Sequence, residues 1–201
     1  MHPEIRQSAP GACPICGMRL VEEGSVQPTR PVSKDRGLGT ITWKNYLPLI
    51  AIIGSICVIA TIASFYAQPP ADFSLALWIE YFMVGFFIVF AGFKLIDLKG
   101  FAEGYAQYDL IAKRFFAYGY AYPFIELAFG LLMLLGFTSP ALLWTEAAVM
   151  AVSGAGVATK LVKREPFQCV CLGTFLTVPL TTVTLIEDFG MMLLAIVLIY
   201  L

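Results

Sequence analysis

Apolar residues along this chain fall into long unbroken blocks, not into the alternation of strands or the one-sided stripe of a soluble helix. The blocks run from about Tyr46 to Ala67 (YLPLIAIIGSICVIATIASFYA), Ser74 to Phe93, Gly119 to Phe137 and Ala141 to Ala158. A hydrocarbon layer of about 30 Å is crossed by roughly 20 helical residues at 1.5 Å each, so each block predicts a spanning helix. A fifth stretch, Leu180 to Leu201, is long enough but is interrupted by Glu187 and Asp188. It reads as a shortened last span with both carboxylates in its first turn, where negative charge suits a helix N-terminus. The fold class expected is all-α, a transmembrane helical bundle of four to five spans.

Between the second and third blocks lies LKGFAEGYAQYDLIAKRFFAYGYAYP, with Phe101, Tyr105, Tyr108, Ile111 and Phe115 at roughly helical spacing. This predicts a short amphipathic helix at the membrane interface, its aromatics against lipid or bundle. AVSGAGVA in the fourth block offers small residues that let helices approach closely, and packing is the role expected of it.

The pattern ahead of Tyr46 is different. A polar tail of about 45 residues precedes the first apolar run, far longer than the charged start of a signal peptide, so the tail is expected in the mature protein. Residues 23–44, rich in Pro, Gly, Ser and charge, read as a flexible linker. Residues 1–22 are too few to bury a core, and a segment of that size needs a metal or a disulfide to order it. Three parts are therefore expected: 1–22 a small metal-knuckle N-terminal segment, 23–44 the linker, and 45–201 the transmembrane domain.

Charge adds an orientation. Of 201 residues 59% are hydrophobic and 13% charged, with a net charge of -1. No basic face is present to hold nucleic acid, which is set aside as a partner. All 13 Lys and Arg fall before the first span, between the second and third, or after the fourth. The connections around AQPPADF and GFTSP have none. By the positive-inside rule the N-terminus is expected in the cytoplasm, the protein being integral to a bacterial inner membrane. Trp43, Tyr46, Tyr66, Trp78 and Trp144 fall near span ends, where amphipathic rings prefer to sit.

The tail carries the first candidate chemistry. In Cys13-Pro14-Ile15-Cys16-Gly17 two thiolates three residues apart can grip one ion, the proline pre-sets the turn and the glycine permits the backbone angle that follows. Met18 adds a thioether, and Met1 and His2 can fold back as further ligands. Thiolate with thioether favours Cu(I); two thiolates with imidazole also suit Zn. A soft ion, Cu(I) before Zn, is the cofactor expected.

Met1 to Val21 (MHPEIRQSAPGACPICGMRLV) resembles the heavy-metal-binding segment found on copper-transporting P-type ATPases and on subunits of metal efflux systems. The resemblance implies Met1, His2, Cys13, Cys16 and Met18 as ligands. The remainder has neither an Asp-Lys-Thr-Gly phosphorylation motif nor a GxxxxGK[ST] phosphate loop, so ATP-driven transport is not expected.

The second cysteine motif is Phe167-Gln168-Cys169-Val170-Cys171-Leu172-Gly173. Alternate residues of an extended chain point apart, so both sulfurs meet one ion only if the backbone turns, which Gly173 can assist. Cys-x-Cys can equally close a strained, exchange-prone disulfide. The pair is a soft-metal dithiol or a redox couple. With AGFKLIDLKGFAEGYAQYDLI and YPFIELAFGLLMLLGF, the stretch KREPFQCVCLG makes the membrane domain resemble the MauE/DoxX-like group of small integral membrane proteins. That resemblance implies a helical bundle and, for some members, assistance to thiol-disulfide or electron-transfer chemistry.

Carboxylates inside spans are costly and tend to face a cavity or a partner. Glu80 and Glu126 are the candidate intramembrane relay, with a protonated, hydrogen-bonded carboxyl as the plainer role; Glu146 is expected near the outer interface. Cys57, inside the first span, reads as a buried apolar residue. The function expected is heavy-metal binding and trafficking: the N-terminal Cys/His/Met site captures a soft ion and passes it to the Cys-x-Cys site. The alternative is a membrane thiol-disulfide or electron-relay protein. The partners expected are the lipid bilayer, the metal ion, and a metallochaperone or thiol-disulfide partner.

Overall fold

The computed structural model describes residues 46–67, 72–162 and 181–201. These are all-α, with six helices and no strand among the described residues: α1 (Leu47–Tyr66), α2 (Leu75–Ile96), α3 (Leu98–Tyr105), α4 (Phe116–Leu134), α5 (Pro140–Val162) and α6 (Thr181–Tyr200). Four of them, α1, α2, α4 and α5, are long and apolar enough to cross a membrane. The transmembrane bundle read from the apolar blocks is present.

The helix ends follow from local chemistry. Pro48 stands in the first turn of α1, where its missing N–H costs nothing. Ser74 caps α2 by accepting from the Leu77 N–H at 3.4 Å. Asp97 ends α2 and caps α3, accepting from the Gly100 N–H at 3.0 Å. Gly136 adopts φ +80°, a left-handed conformation open to a residue without a Cβ, and closes α4. Ser139 and Pro140 then open α5.

The pairs α1–α2 and α2–α4 run antiparallel, as their contacts show. On α1 and α2, Trp78 Nε1 donates to Thr61 Oγ1 at 2.9 Å, and Ile56 packs at Gly85, where a Cβ would meet its Cγ2 at 2.9 Å. On α2 and α4, a Cβ at Gly130 would lie 3.0 to 3.3 Å from Ile88 and Phe87. On α5 and α6, a Cβ at Gly154 would lie 3.1 to 3.3 Å from Phe189 and Asp188. At Gly156 it would stand 2.7 Å from the Tyr108 carbonyl oxygen, fixing α5 against the turn after α3. The small-residue run of α5 is thus a packing surface, as its sequence suggests.

The core is built of large side chains from α2, α3 and α4: Phe87, Phe90, Phe101, Tyr105 and Tyr122 are all buried. By contrast α1 buries only Leu49, Ile56, Ala60 and Ser64 and leaves Ile50, Val58, Ile59 and Ile62 exposed, the surface of a helix that faces lipid. Cys57 is half-buried on α1. Tyr66 and Trp144 are exposed close to helix ends, as amphipathic rings at a membrane surface would be.

Four expectations change. Helix α6 starts at Thr181, so Glu187 and Asp188 lie well inside it and not in its first turn. Glu146 is fully buried in α5 rather than at an interface. Lys94, counted above with the charges between spans, belongs to the last turn of α2 and is 6% exposed. Finally, the interfacial helix is only eight residues long: Phe101, Tyr105 and Tyr108 turn into the bundle, while Phe115 remains 65% exposed.

Candidate functional site

The polar groups of the bundle converge where α2 ends, α3 crosses, and α4, α5 and α6 pass. Lys94 extends from the last turn of α2, and its Nζ lies 2.5 Å from both Oε1 and Oε2 of Glu126 on α4. Both side chains are buried. The ammonium also sits 5.2 Å from the ring centroid of Tyr122 and 5.6 Å from that of Phe101. A lysine charge taken from water is thus met by a forked carboxylate and two aromatic faces, the compensation such burial demands.

A hydroxyl network extends the pair. The Tyr122 hydroxyl lies 3.9 Å from the Met150 sulfur, and Tyr122, Glu126 and Ser153 line the same cavity. The Tyr105 hydroxyl donates to Asp109 Oδ2 at 3.0 Å and stands 3.3 Å from Ser153 Oγ. Asp109 is fully buried; its Oδ1 accepts the backbone N–H groups of Ile111 and Ala112 at 2.9 and 2.7 Å, which fixes the turn after α3. Burial, with the Asp109 carboxylate alongside, holds the Tyr105 hydroxyl in its protonated form well above the ordinary tyrosine range.

Lys94, Glu126, Ser153, Thr184, Glu187 and Asp188 line one cavity. The space it leaves suits about one water molecule. Ser153 stands beside the Asp188 carboxylate, whose Oδ2 has no hydrogen-bond partner among the described residues. Elsewhere on α5, both carboxyl oxygens of Glu146 are buried and without a hydrogen-bond partner among the described residues.

The two glutamates read as a relay are not brought together. Glu126 belongs to this cavity, while Glu80 accepts a hydrogen bond from the Thr138 hydroxyl near the other end of the bundle, about 21 Å from Lys94 along α2. Met1, His2, Cys13, Cys16, Met18, Cys169 and Cys171 lie outside the described residues. Among the described residues no three His, Cys, Asp or Glu side chains are grouped to hold a metal. Sequence reasoning missed Lys94, Tyr105, Asp109, Ser153 and Asp188 as one cluster. A signal existed for Lys94, which has apolar residues on both sides in AGFKLI.

Residues 73–201, which include every helix that lines this cavity, match the family described as methylamine utilisation protein MauE. The chain belongs to the MauE family. Ahead of its MauE domain, residues 1–23 match the heavy metal binding domain. Over 23 residues the chain is 78% identical to a copper-exporting P-type ATPase of Legionella pneumophila, a stretch that covers 11% of this chain and 3% of the ATPase. No solved structure matches this MauE protein. It is an integral membrane protein with a heavy-metal-binding segment at its N-terminus.

Proposed function

We propose that this MauE protein handles a soft metal ion at the membrane, capturing Cu(I) with Cys13 and Cys16, aided by His2, Met18 and Met1, and passing it to Cys169 and Cys171. The observation that carries this reading is the 78% identity between its N-terminal segment and that of a copper-exporting ATPase. Two thiolates and two thioethers form a soft donor set, and Cu(I) accepts it more readily than the harder divalent ions. A ligand set on the 22-residue linker, 23–44, keeps the captured ion at high effective concentration beside the membrane domain. The second dithiol belongs to the 163–180 segment, which joins α5 to α6 in sequence.

In this proposal both cysteine pairs face the cytoplasm of a bacterium, where thiols stay reduced, and a metallochaperone supplies the ion. All the basic residues fall at one set of connections, which supports that orientation. The ion is substrate here, not a resident cofactor.

The test is anaerobic Cu(I) binding by the full-length protein in detergent, in competition with a chromophoric Cu(I) chelator. Cys13→Ser/Cys16→Ser should lose the tighter class of site, and His2→Ala should weaken it less. Equal copper binding by the double variant and the parent would overturn the assignment of the N-terminal segment as the capturing site.

A further inference from the structure

Among the described residues that line the cavity between α2, α4, α5 and α6, carboxyl groups outnumber ammonium groups. Lys94 is held by Glu126 in a forked pair with both carboxylate oxygens engaged. Asp188 stands in the same cavity, 7% exposed, with Ser153 beside it and Oδ2 unpartnered among the described residues. A carboxylate in that position faces Lys94 from α2, Tyr105 from α3, Tyr118, Tyr122 and Glu126 from α4, and Glu187 from its own helix. From α5 it meets Ser153, a neutral hydroxyl. Among the described residues that line it, one ammonium thus stands with three carboxyl groups, Glu126, Glu187 and Asp188, and a neutral site needs further positive charge. The space beside it suits about one water, enough for a proton carrier and too little for an organic cation.

We propose that Asp188 Oδ2 is an exchangeable proton-binding site, which takes a proton from the water in this cavity and returns it there. The Oδ2–H bond breaks, its electron pair stays on the carboxylate, and the proton leaves on the cavity water as hydronium; uptake is the reverse. No oxidant or reductant is involved. Lys94 favours the ionised state of Asp188 and Glu126 opposes it, while the neighbouring Ser153 hydroxyl favours it. This gives the membrane domain a proton-handling site of its own, independent of whether the N-terminal segment binds copper.

The test is infrared difference spectroscopy of the full-length protein in lipid nanodiscs, stepped from about pH 5 to about pH 9. A protonated-carboxyl C=O stretch should fade as pH rises, be lost in Asp188→Asn, and persist in Glu146→Gln. Ser153→Ala, which removes a donor to the ionised form, should keep the band and move its midpoint to higher pH. Replacing potassium by sodium should leave the midpoint where it is. An undiminished titrating band in Asp188→Asn would overturn the proposal. If that variant does not fold, an unmoved midpoint in Ser153→Ala overturns it. A midpoint that follows sodium would assign the site to a metal cation and overturn it as well.

Discussion

Lys94 and Glu126 meet with Nζ 2.5 Å from each carboxylate oxygen, one at the end of α2 and the other in the body of α4. Removing either partner leaves the other charge buried, which costs about 3–5 kcal/mol in buried pairs. Lys94→Met and Glu126→Leu should each lower the thermal midpoint in detergent strongly. The double variant should regain much of the loss, because two apolar side chains leave no charge to satisfy. Scanning fluorimetry on the four proteins of this cycle reads the coupling directly.

Glu146 makes the opposite case. Its carboxyl is fully buried and its two oxygens have no hydrogen-bond partner among the described residues. Glu146→Met, of similar length and without the polar atoms, should stabilise the protein by about 1–3 kcal/mol, the cost of an unsatisfied buried group. A lowered unfolding midpoint would show that the carboxyl has a function in the fold.

These two positions also show what sequence can and cannot carry. The length and apolarity of the blocks were enough to place α1, α2, α4 and α5, because a bilayer sets helix length by simple arithmetic. Lys94 read as a loop charge because it stands three residues before Asp97; whether such a lysine snorkels to the surface or turns inward depends on Glu126, 32 positions away. Asp188 and Glu187 read as a cap because they interrupt the apolar run and negative charge suits a helix N-terminus, yet the helix begins at Thr181. Glu146 looked interfacial by its distance from the start of the block, whereas its burial is set by its neighbours in space. Of the relay read from sequence, Glu126 lies in the cavity and Glu80 does not.

Gly156 offers a test of how α5 seats on the turn after α3. A Cβ there would stand 2.7 Å from the Tyr108 carbonyl oxygen and 3.1 Å from Asp109 Cα, both backbone atoms that cannot rotate aside. Gly156→Ala should destabilise by about 1–3 kcal/mol, as overpacking does. Gly92→Ala, where a Cβ meets nothing within 4 Å, should gain slightly from helix propensity. The two unfolding midpoints should therefore move in opposite directions.

Tyr105 predicts an alkaline limit to stability. Its ordinary value is 10.0, and burial with Asp109 alongside raises it well above that in the folded state. Above about pH 10 the unfolded chain releases the proton and the folded chain keeps it, so the unfolded state is favoured as pH rises. The stabilisation is complete below the unfolded value and is lost towards the folded one. Tyr105→Phe should flatten the fall of the thermal midpoint above about pH 10. An equally steep fall in that variant would assign the alkaline sensitivity to another group.

In the proposed transfer, an ion captured by the N-terminal segment has a second dithiol to receive it. The measurement that tests this most directly is the Cu(I) stoichiometry of the full-length protein under anaerobic conditions, beside Cys13→Ser/Cys16→Ser and Cys169→Ser/Cys171→Ser, with free thiols counted in the same samples. Two soft thiolates can exchange Cu(I) through shared coordination, whereas serine oxygens are hard donors. Each double variant should lose a separate share of the bound copper, and the parent should keep its thiols reduced. Unchanged copper in Cys169→Ser/Cys171→Ser, together with a stable and reversible Cys169–Cys171 disulfide in the parent, would contradict the transfer and make the pair a redox couple.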